Sequence, residues 1–127
     1  MEDLQNKLQA ELDKFKAVGK EYHNAISQRQ VLDGQLHENM GVKQELDLLK
    51  ADGEVFKMIG PVLVKQELAE AKQNVNKRID YITSELKRMD DMISNLDAEQ
   101  DKHKEKLATL QMQFQQEQMK AAAAKAT

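Results

Sequence analysis

The sequence predicts a mainly α fold, in which two long helices form an antiparallel coiled coil and are joined by one central β-hairpin. Three observations support this fold. Charged residues make up 32% of the chain and aromatic residues only 4%, a balance typical of long helices. Apolar residues recur in heptads on both sides of the centre, and one central segment is β-rich. We expect one unit over 1–127, with a helix at 2–50, a hairpin at 53–66, a helix at 67–120 and a frayed tail at 121–127.

The central hairpin is predicted from two short apolar runs separated by Gly60-Pro61. Pro61 lacks a backbone N–H and therefore suits a turn but not a strand interior. Alternation along each run places apolar side chains on both faces. A lone hairpin of this kind is marginally stable, and its open edges favour pairing with other chains. We therefore expect intersubunit assembly through Val55, Phe56, Met58, Ile59, Val62, Leu63 and Val64.

The first helix carries a recognisable but imperfect heptad pattern. Its predicted core positions are Leu8, Leu12, Phe15, Tyr22, Ile26, Leu36 and Met40. Three residues that fall on the same register, Gly19, Arg29 and Asp33, weaken it. The helix is nevertheless long, because no proline interrupts it.

Two changes are expected near the end of the first helix. Beyond Gly41 the apolar stripe moves to Val42, Leu46 and Leu49, which predicts a local change of register. Gly53 marks the end, because glycine readily adopts the left-handed conformation found at helix C-termini.

The second helix has the stronger heptad pattern. Its predicted core positions are Leu68, Val75, Ile79, Ile82, Leu86, Met89, Ile93, Leu96, Leu107, Leu110 and Phe114. Between Val75 and Phe114 only Gln100 and His103 interrupt the repeat. A heptad repeat sustained over this distance is a specific signal for a coiled coil.

The tight hairpin predicts that the two helices fold back on each other. Reflection about the turn then places residue i level with residue ~119 − i. This relation pairs Arg29 with Asp90 and Gly19 with Gln100. It also predicts a polar layer in the coiled coil near Gly19, Gln100 and His103.

The sequence contains no recognisable catalytic, metal-binding or cofactor-binding set. The three histidines, His23, His37 and His103, do not form the short-spaced pairs that metal sites use. We expect His103 to be a tolerated core residue. Asp90-Asp91 is expected to pair with Lys or Arg rather than to act in acid–base chemistry. No glycine-rich phosphate loop is present, so we predict that the protein is not an enzyme.

Charge and hydropathy exclude further classes of function. The net charge is −3 and there is no cysteine. Lys and Arg are interspersed with acidic residues, so the sequence lacks the basic stripe of a nucleic-acid-binding protein. No apolar run is long enough to span a bilayer, and the N-terminal residues lack a secretory signal. We expect a soluble intracellular protein that binds neither nucleic acid nor membrane.

The ends of the two helices should meet far from the hairpin and form a partly apolar tip. Its residues are Leu4, Leu8, Leu110, Met112, Phe114 and Met119. Leu8, Leu110 and Phe114 fit the heptads, whereas the other three fall outside them. The residues alone favour ordinary termination of a coiled coil. The alternative is a flexible apolar tip that grips non-native proteins.

A family resemblance joins these features. The hairpin run Glu54-Val-Phe-Lys-Met-Ile-Gly-Pro-Val-Leu-Val-Lys-Gln66 between two heptad helices closely resembles the β-type prefoldin subunits. Within that family it is most similar to the eukaryotic subunits of type 6. The resemblance covers essentially the whole chain, and the hairpin run is its distinctive part.

The resemblance implies a cytoplasmic chaperone function without ATP hydrolysis or any cofactor. This chain would join two α-type and three further β-type subunits, and the hairpins would build intersubunit β-barrels. The tips would hold unfolded actin and tubulin and pass them to the cytosolic group II chaperonin. The competing interpretation is a structural or tethering coiled coil that self-associates through its hairpin.

Overall fold

The computed structural model describes residues 2–50 and 52–126, and its element order confirms the predicted fold class. Helix α1 spans Glu2–Leu48, strand β1 Val55–Ile59, strand β2 Val62–Gln66 and helix α2 Leu68–Ala126. The strands form a two-stranded antiparallel sheet. None of the described helices is both long and apolar enough to cross a membrane.

The first helix ends two residues before the predicted boundary, and for a different reason. After Leu48 the chain turns, with the Leu49 N–H donating to the Leu46 carbonyl at 3.3 Å and the Gly53 N–H to the Lys50 carbonyl at 2.8 Å. Gly53 does not have a positive φ, so the predicted left-handed cap is wrong. A Cβ atom at Gly53 would lie 3.0 Å from the Lys50 carbonyl oxygen. Glycine is therefore needed for close approach of the backbone.

The second helix continues past its predicted end at residue 120. Helix α2 runs to Ala126, and alanine, which dominates this end, has the highest intrinsic helix propensity of any residue type. These last residues are exposed, and a helix end that buries nothing gains no stability from packing. Fraying of the tail stays a prediction.

The hairpin turn is the two-residue loop that the sequence predicts. Ile59 pairs with Val62, which leaves only Gly60 and Pro61 between the strands. Gly60 has a φ of 59°. Short hairpin loops need a positive φ to match the twist of the strands, and glycine adopts it without steric cost.

The structure comprises two compact units, each of which contains a part of both helices. The hairpin unit is Ser27–Asp90, and the terminal unit contains the described residues 2–26 and 91–126. In the hairpin unit, Leu46, Ala71 and Val75 form a buried cluster at the base of the hairpin. The cluster is extended by the partly buried Val55, Leu68 and Ile79.

The core positions predicted for the second helix are confirmed by their burial. Val75, Ile82, Leu86, Met89 and Leu96 are buried, and the other predicted positions of α2 are half-buried. Gln100 and His103 also lie at half-buried positions. The heptad register therefore continues through the two polar residues.

Apart from Met40, the predicted core positions of the first helix are half-buried, and a second column of residues is buried more deeply. The most buried residues of α1 are Glu11, Val18, Ala25 and Leu46, which belong to one column with a seven-residue period. The predicted position Met40 is 50% exposed. Of the stripe predicted beyond Gly41, Leu46 is buried, but Val42 is 45% exposed and Leu49 is 38% exposed, so the predicted change of register is wrong. Short and polar residues such as Glu11 and Ala25 hide the buried column from a count of apolar residues.

Candidate functional site

The hairpin presents exposed apolar residues on both of its faces. The pairing register places Lys57 beside Val64 and Ile59 beside Val62 on one face. The other face carries Phe56 beside Lys65 and Met58 beside Leu63. The exposed fractions of the apolar residues are Phe56 51%, Met58 69%, Ile59 57%, Val62 57%, Leu63 63% and Val64 43%. Exposed apolar area of this density on one small sheet is typical of surfaces that contact other proteins.

One end of the hairpin is anchored to the helices, which fixes how the rest projects. Val55 begins β1 and packs against the cluster of Leu46, Ala71 and Val75. Its partner across the sheet, Gln66, is also half-buried. Every strand residue between these two positions and the turn is exposed. Of the predicted hairpin set, Val55 is the residue that packs against this buried cluster.

Both outer edges of the sheet are open within the described residues. The sheet contains β1 and β2 only, so each strand has one edge whose backbone N–H and C=O groups lack a strand partner. Open edges of this kind can accept another strand by backbone hydrogen bonding. The hairpin is thus both apolar and able to extend a sheet.

The predicted tip residues divide into two groups. Leu4, Leu8, Leu110 and Phe114 are half-buried, whereas Met112 is 65% exposed and Met119 is 72% exposed. Leu4 was expected to lie outside the heptads, but it lines a groove together with Gln113 and Gln116 of α2. It continues the seven-residue column of Glu11 and Val18, which explains its burial.

A buried ion-pair cluster in the terminal unit was missed by sequence reasoning. Glu11 is only 2% exposed, and its carboxylate accepts a hydrogen bond from the Nδ1–H of His103. Lys106 Nζ lies 3.5 Å from the second carboxylate oxygen. His103 was correctly predicted to lie in a polar layer of the core. A seven-residue count from Val18 would have placed Glu11 in the same buried column of α1.

The charges around Glu11 favour its ionised form. The hydrogen bond from His103 lowers the pKa of the Glu11 carboxyl below its ordinary value of 4.5. Burial opposes this effect, and the positive charge of Lys106 reinforces it. The buried Glu11 carboxylate is paired with two basic residues, so the cluster leaves no unpaired group for chemistry.

The other polar residues singled out from the sequence also form structural pairs. Asp90 binds Arg29, as expected for an acidic residue on a helix surface. The ring of His37 contacts the carbonyl of Asp33, one turn earlier in α1. Among residues 2–50 and 52–126, no group of three or more His, Asp or Glu side chains is placed to hold a metal ion.

Comparison with known proteins gives consistent matches along the chain. A family model described as "Prefoldin subunit" matches residues 9–116. The chain is 46% identical over 123 residues to prefoldin subunit 6 of Mus musculus, which covers 97% of each chain. It is 42% identical over 113 residues to prefoldin subunit 6 of Arabidopsis thaliana, covering 89% of this chain and 88% of that protein.

The comparison of structures supports the same fold. The crystal structure of the prefoldin beta subunit from Thermococcus strain KS-1 matches with a TM-score of 0.74 at 18% identity, over 81% of this chain and 90% of that chain. The resemblance inferred from the hairpin run is thereby confirmed. These relatives support a chaperone subunit rather than an enzyme, and they imply assembly with other prefoldin subunits. By sequence and by fold, the chain belongs to the prefoldin subunit family.

Proposed function

We propose that this chain is a β-type subunit of a cytoplasmic heterohexamer with two α-type and three further β-type partners. Its hairpin joins the partners, and its tip holds unfolded actin, tubulin and other clients. The complex passes these clients to the cytosolic group II chaperonin without ATP. The exposure of apolar side chains on both faces of a two-stranded sheet carries this proposal.

The hairpin supports assembly because it is incomplete by itself. A two-stranded sheet is marginal in water, and half or more of each of Phe56, Met58, Ile59, Val62 and Leu63 is exposed. Burial of apolar area contributes about 25 cal/mol per Å², so covering both faces strongly favours association. Strands added at the open edges supply that cover together with backbone hydrogen bonds.

The tip supports client holding through a small number of adaptable contacts. Met112 and Met119 expose most of their side chains on the last turns of α2. Methionine is flexible and polarisable, and it suits partners without a fixed shape. Each contact is weak, but several tips in one complex act together and raise the total affinity. Leu4, Leu8, Leu110 and Phe114 reinforce the surface when the helix ends open.

Assembly is tested by placing charge on both faces of the hairpin. Ile59 and Leu63 lie on opposite faces, so the double variant I59D/L63D should abolish co-assembly with the other subunits and retain most helix content. The matched control is V31D/Y81D, because Val31 is 60% exposed and Tyr81 66% exposed on the helices of the same unit. Native mass spectrometry should show normal assembly of the control. Assembly of I59D/L63D would exclude the hairpin from this role.

Client holding is tested separately at the tip. The double variant M112Q/M119Q should suppress aggregation of unfolded actin less well, since glutamine keeps helix propensity but removes apolar contact. Met40 and Met92 are also exposed, at 50% and 36%, and M40Q/M92Q serves as the control. Equal activity of both variants would exclude Met112 and Met119 from client contact.

The tethering alternative makes a different prediction about partners. Native mass spectrometry of the tagged chain, purified gently from its own cytosol, should reveal five different coiled-coil partners in single copy. A homo-oligomer without other subunits would favour the tether and contradict the proposed function.

A further inference from the structure

The two open edges of the hairpin differ in the charges beside them. Lys57 is the central residue of β1, and Lys65 lies near the end of β2. Both are exposed, and among the ion pairs of the described residues neither takes part in one. The strand residues include no Asp or Glu, so the sheet itself carries only positive charge.

The surroundings of Lys65 compensate its charge. It lines a groove that also contains Asp52, Glu54 and Glu67. These three carboxylates belong to the chain itself. The β2 side therefore requires no acidic group from a partner.

The surroundings of Lys57 add to its charge instead. Lys57 lines the groove between the hairpin and the helices, where the other charged residue is Arg78. The remaining lining residues are apolar or neutral, such as Phe56 and Asn74. Lys57 and Arg78 thus share a groove whose lining contains no carboxylate.

A second copy of this chain fits the β1 edge poorly. Two-fold antiparallel pairing of β1 over its full length places residue 55 opposite 59 and Lys57 opposite Lys57 of the copy. Directly opposed side chains have Cβ atoms about 5 Å apart, and like charges at that distance are destabilising. The register that brings Glu54 of a copy opposite Lys57 leaves Met58 and Ile59 without strand partners.

We propose that the outer edge of β1 accepts a strand of a different subunit that carries an Asp or Glu side chain opposite Lys57. This inference rests on the proposed assembly function and specifies the chemistry of the partner. The acidic side chain pairs with Lys57 on the face that also bears Ile59 and Val64, and it lies at the groove of Arg78. Lys57 thereby selects the partner, while the apolar residues supply most of the affinity.

Zero-length cross-linking of the assembled complex tests the contact directly. Treatment with a water-soluble carbodiimide joins an amine to an adjacent carboxylate, and mass spectrometry identifies the joined residues. We expect Lys57 to be joined to an Asp or Glu in the hairpin of a neighbouring, different subunit. Coupling of Lys57 only to this chain or to a copy of it, or no coupling, would overturn the inference.

Charge reversal tests the contribution to assembly. When equal amounts of wild-type and variant chain compete for the partner subunits, K57E should be incorporated about fivefold less than wild type. K77E makes the same charge change at an exposed position of α2 in the same unit, and should be incorporated almost equally. Equal incorporation of K57E and wild type, or equal losses for K57E and K77E, would overturn the inference. If the proposed function itself were wrong, the wild-type chain would also fail to assemble.

Discussion

The guanidinium of Arg29 donates a hydrogen bond from Nε to Oδ1 of Asp90 at 2.5 Å, and it joins positions 61 residues apart in the chain. A second pair in the hairpin unit, Lys72 and Asp47, obeys the same mirror relation at 3.8 Å. Both pairs match the predicted facing of residue i with residue ~119 − i. The two helices of this unit are therefore antiparallel in the register that the sequence predicts.

Exchanging the charges of Arg29 and Asp90 should restore the thermal stability that each single substitution removes. Arg29 and Asp90 are both substantially exposed, so the contribution of the pair to stability is small and decreases with salt. We expect R29D and D90R each to lower the melting temperature by a few degrees, and R29D/D90R to recover most of the loss. Thermal unfolding followed by circular dichroism at low salt measures this. Additive losses in the double variant would show that the two side chains do not interact.

Replacement of Glu11 should destabilise the terminal unit most strongly near neutral pH. E11Q removes the charge that holds His103 and Lys106 but keeps the size of the side chain. Removing one partner from a buried ion pair leaves the others uncompensated. E21Q, at an exposed position of the same helix, is the control and should unfold like wild type.

The difference in stability between wild type and E11Q should depend on pH, because the pKa of Glu11 is shifted in the folded chain. The pKa of Glu11 is lower in the folded chain than its ordinary value of 4.5. Its stabilisation is therefore fully present above that value and is lost as the pH falls through the lower, folded-state pKa. The gap in melting temperature between wild type and E11Q should narrow below pH 4.5. A gap that stays constant there would contradict an ionised, hydrogen-bonded Glu11.

Alanine at two glycines should have opposite effects, because the backbone conformations differ. A Cβ atom added at Gly34 or at Gly60 would meet no atom within 4 Å beyond the adjoining chain, so neither substitution is opposed by a steric clash. Gly34 lies within α1, and G34A should stabilise the chain by about 0.5–1 kcal/mol. Gly60 has a φ of 59°, so G60A should destabilise the hairpin by about 1–2 kcal/mol. Chemical denaturation for G34A and assembly yield for G60A measure these effects.

Two methionines one turn apart on α2 should differ in their contribution to the core. Met89 is 3% exposed and Met92 is 36% exposed. M89A should lower the free energy of unfolding by about 2 kcal/mol, at the lower end of the usual range because an open groove borders the site. M92A should change it by less than about 0.5 kcal/mol. Equal losses of unfolding free energy for M89A and M92A in urea denaturation would contradict the burial assigned to the two faces of α2.

The fold could largely be predicted because its elements have strong local signals. The heptads of α2 consist of large apolar residues, and the turn at Gly60 and Pro61 is short and unambiguous. The mirror relation follows from these two features, and it led to the pairing of Arg29 with Asp90. The exposed hairpin was likewise apparent from an apolar pattern on both strand faces.

The most buried column of α1 could not be predicted in the same way. It contains Glu11 and Ala25, and neither residue type signals burial. A small side chain such as Ala25 permits close approach of the partner helix, while Glu11 is tolerated only because His103 and Lys106 neutralise it. The burial of both residues depends on contacts with α2, and the sequence pattern of α1 alone does not reveal those contacts.

Hydrogen exchange in the hairpin tests the central claim most directly. The outer-edge amides of β1 and β2 have no strand partner in the described chain, so a peptide covering 55–66 should exchange quickly in the isolated subunit. Strands added by neighbouring subunits would bury both edges. We expect strong protection of this peptide in the assembled complex, measured by mass spectrometry beside a peptide from the middle of α2 as reference. Equally fast exchange of the hairpin in the free and assembled protein would contradict assembly through this sheet.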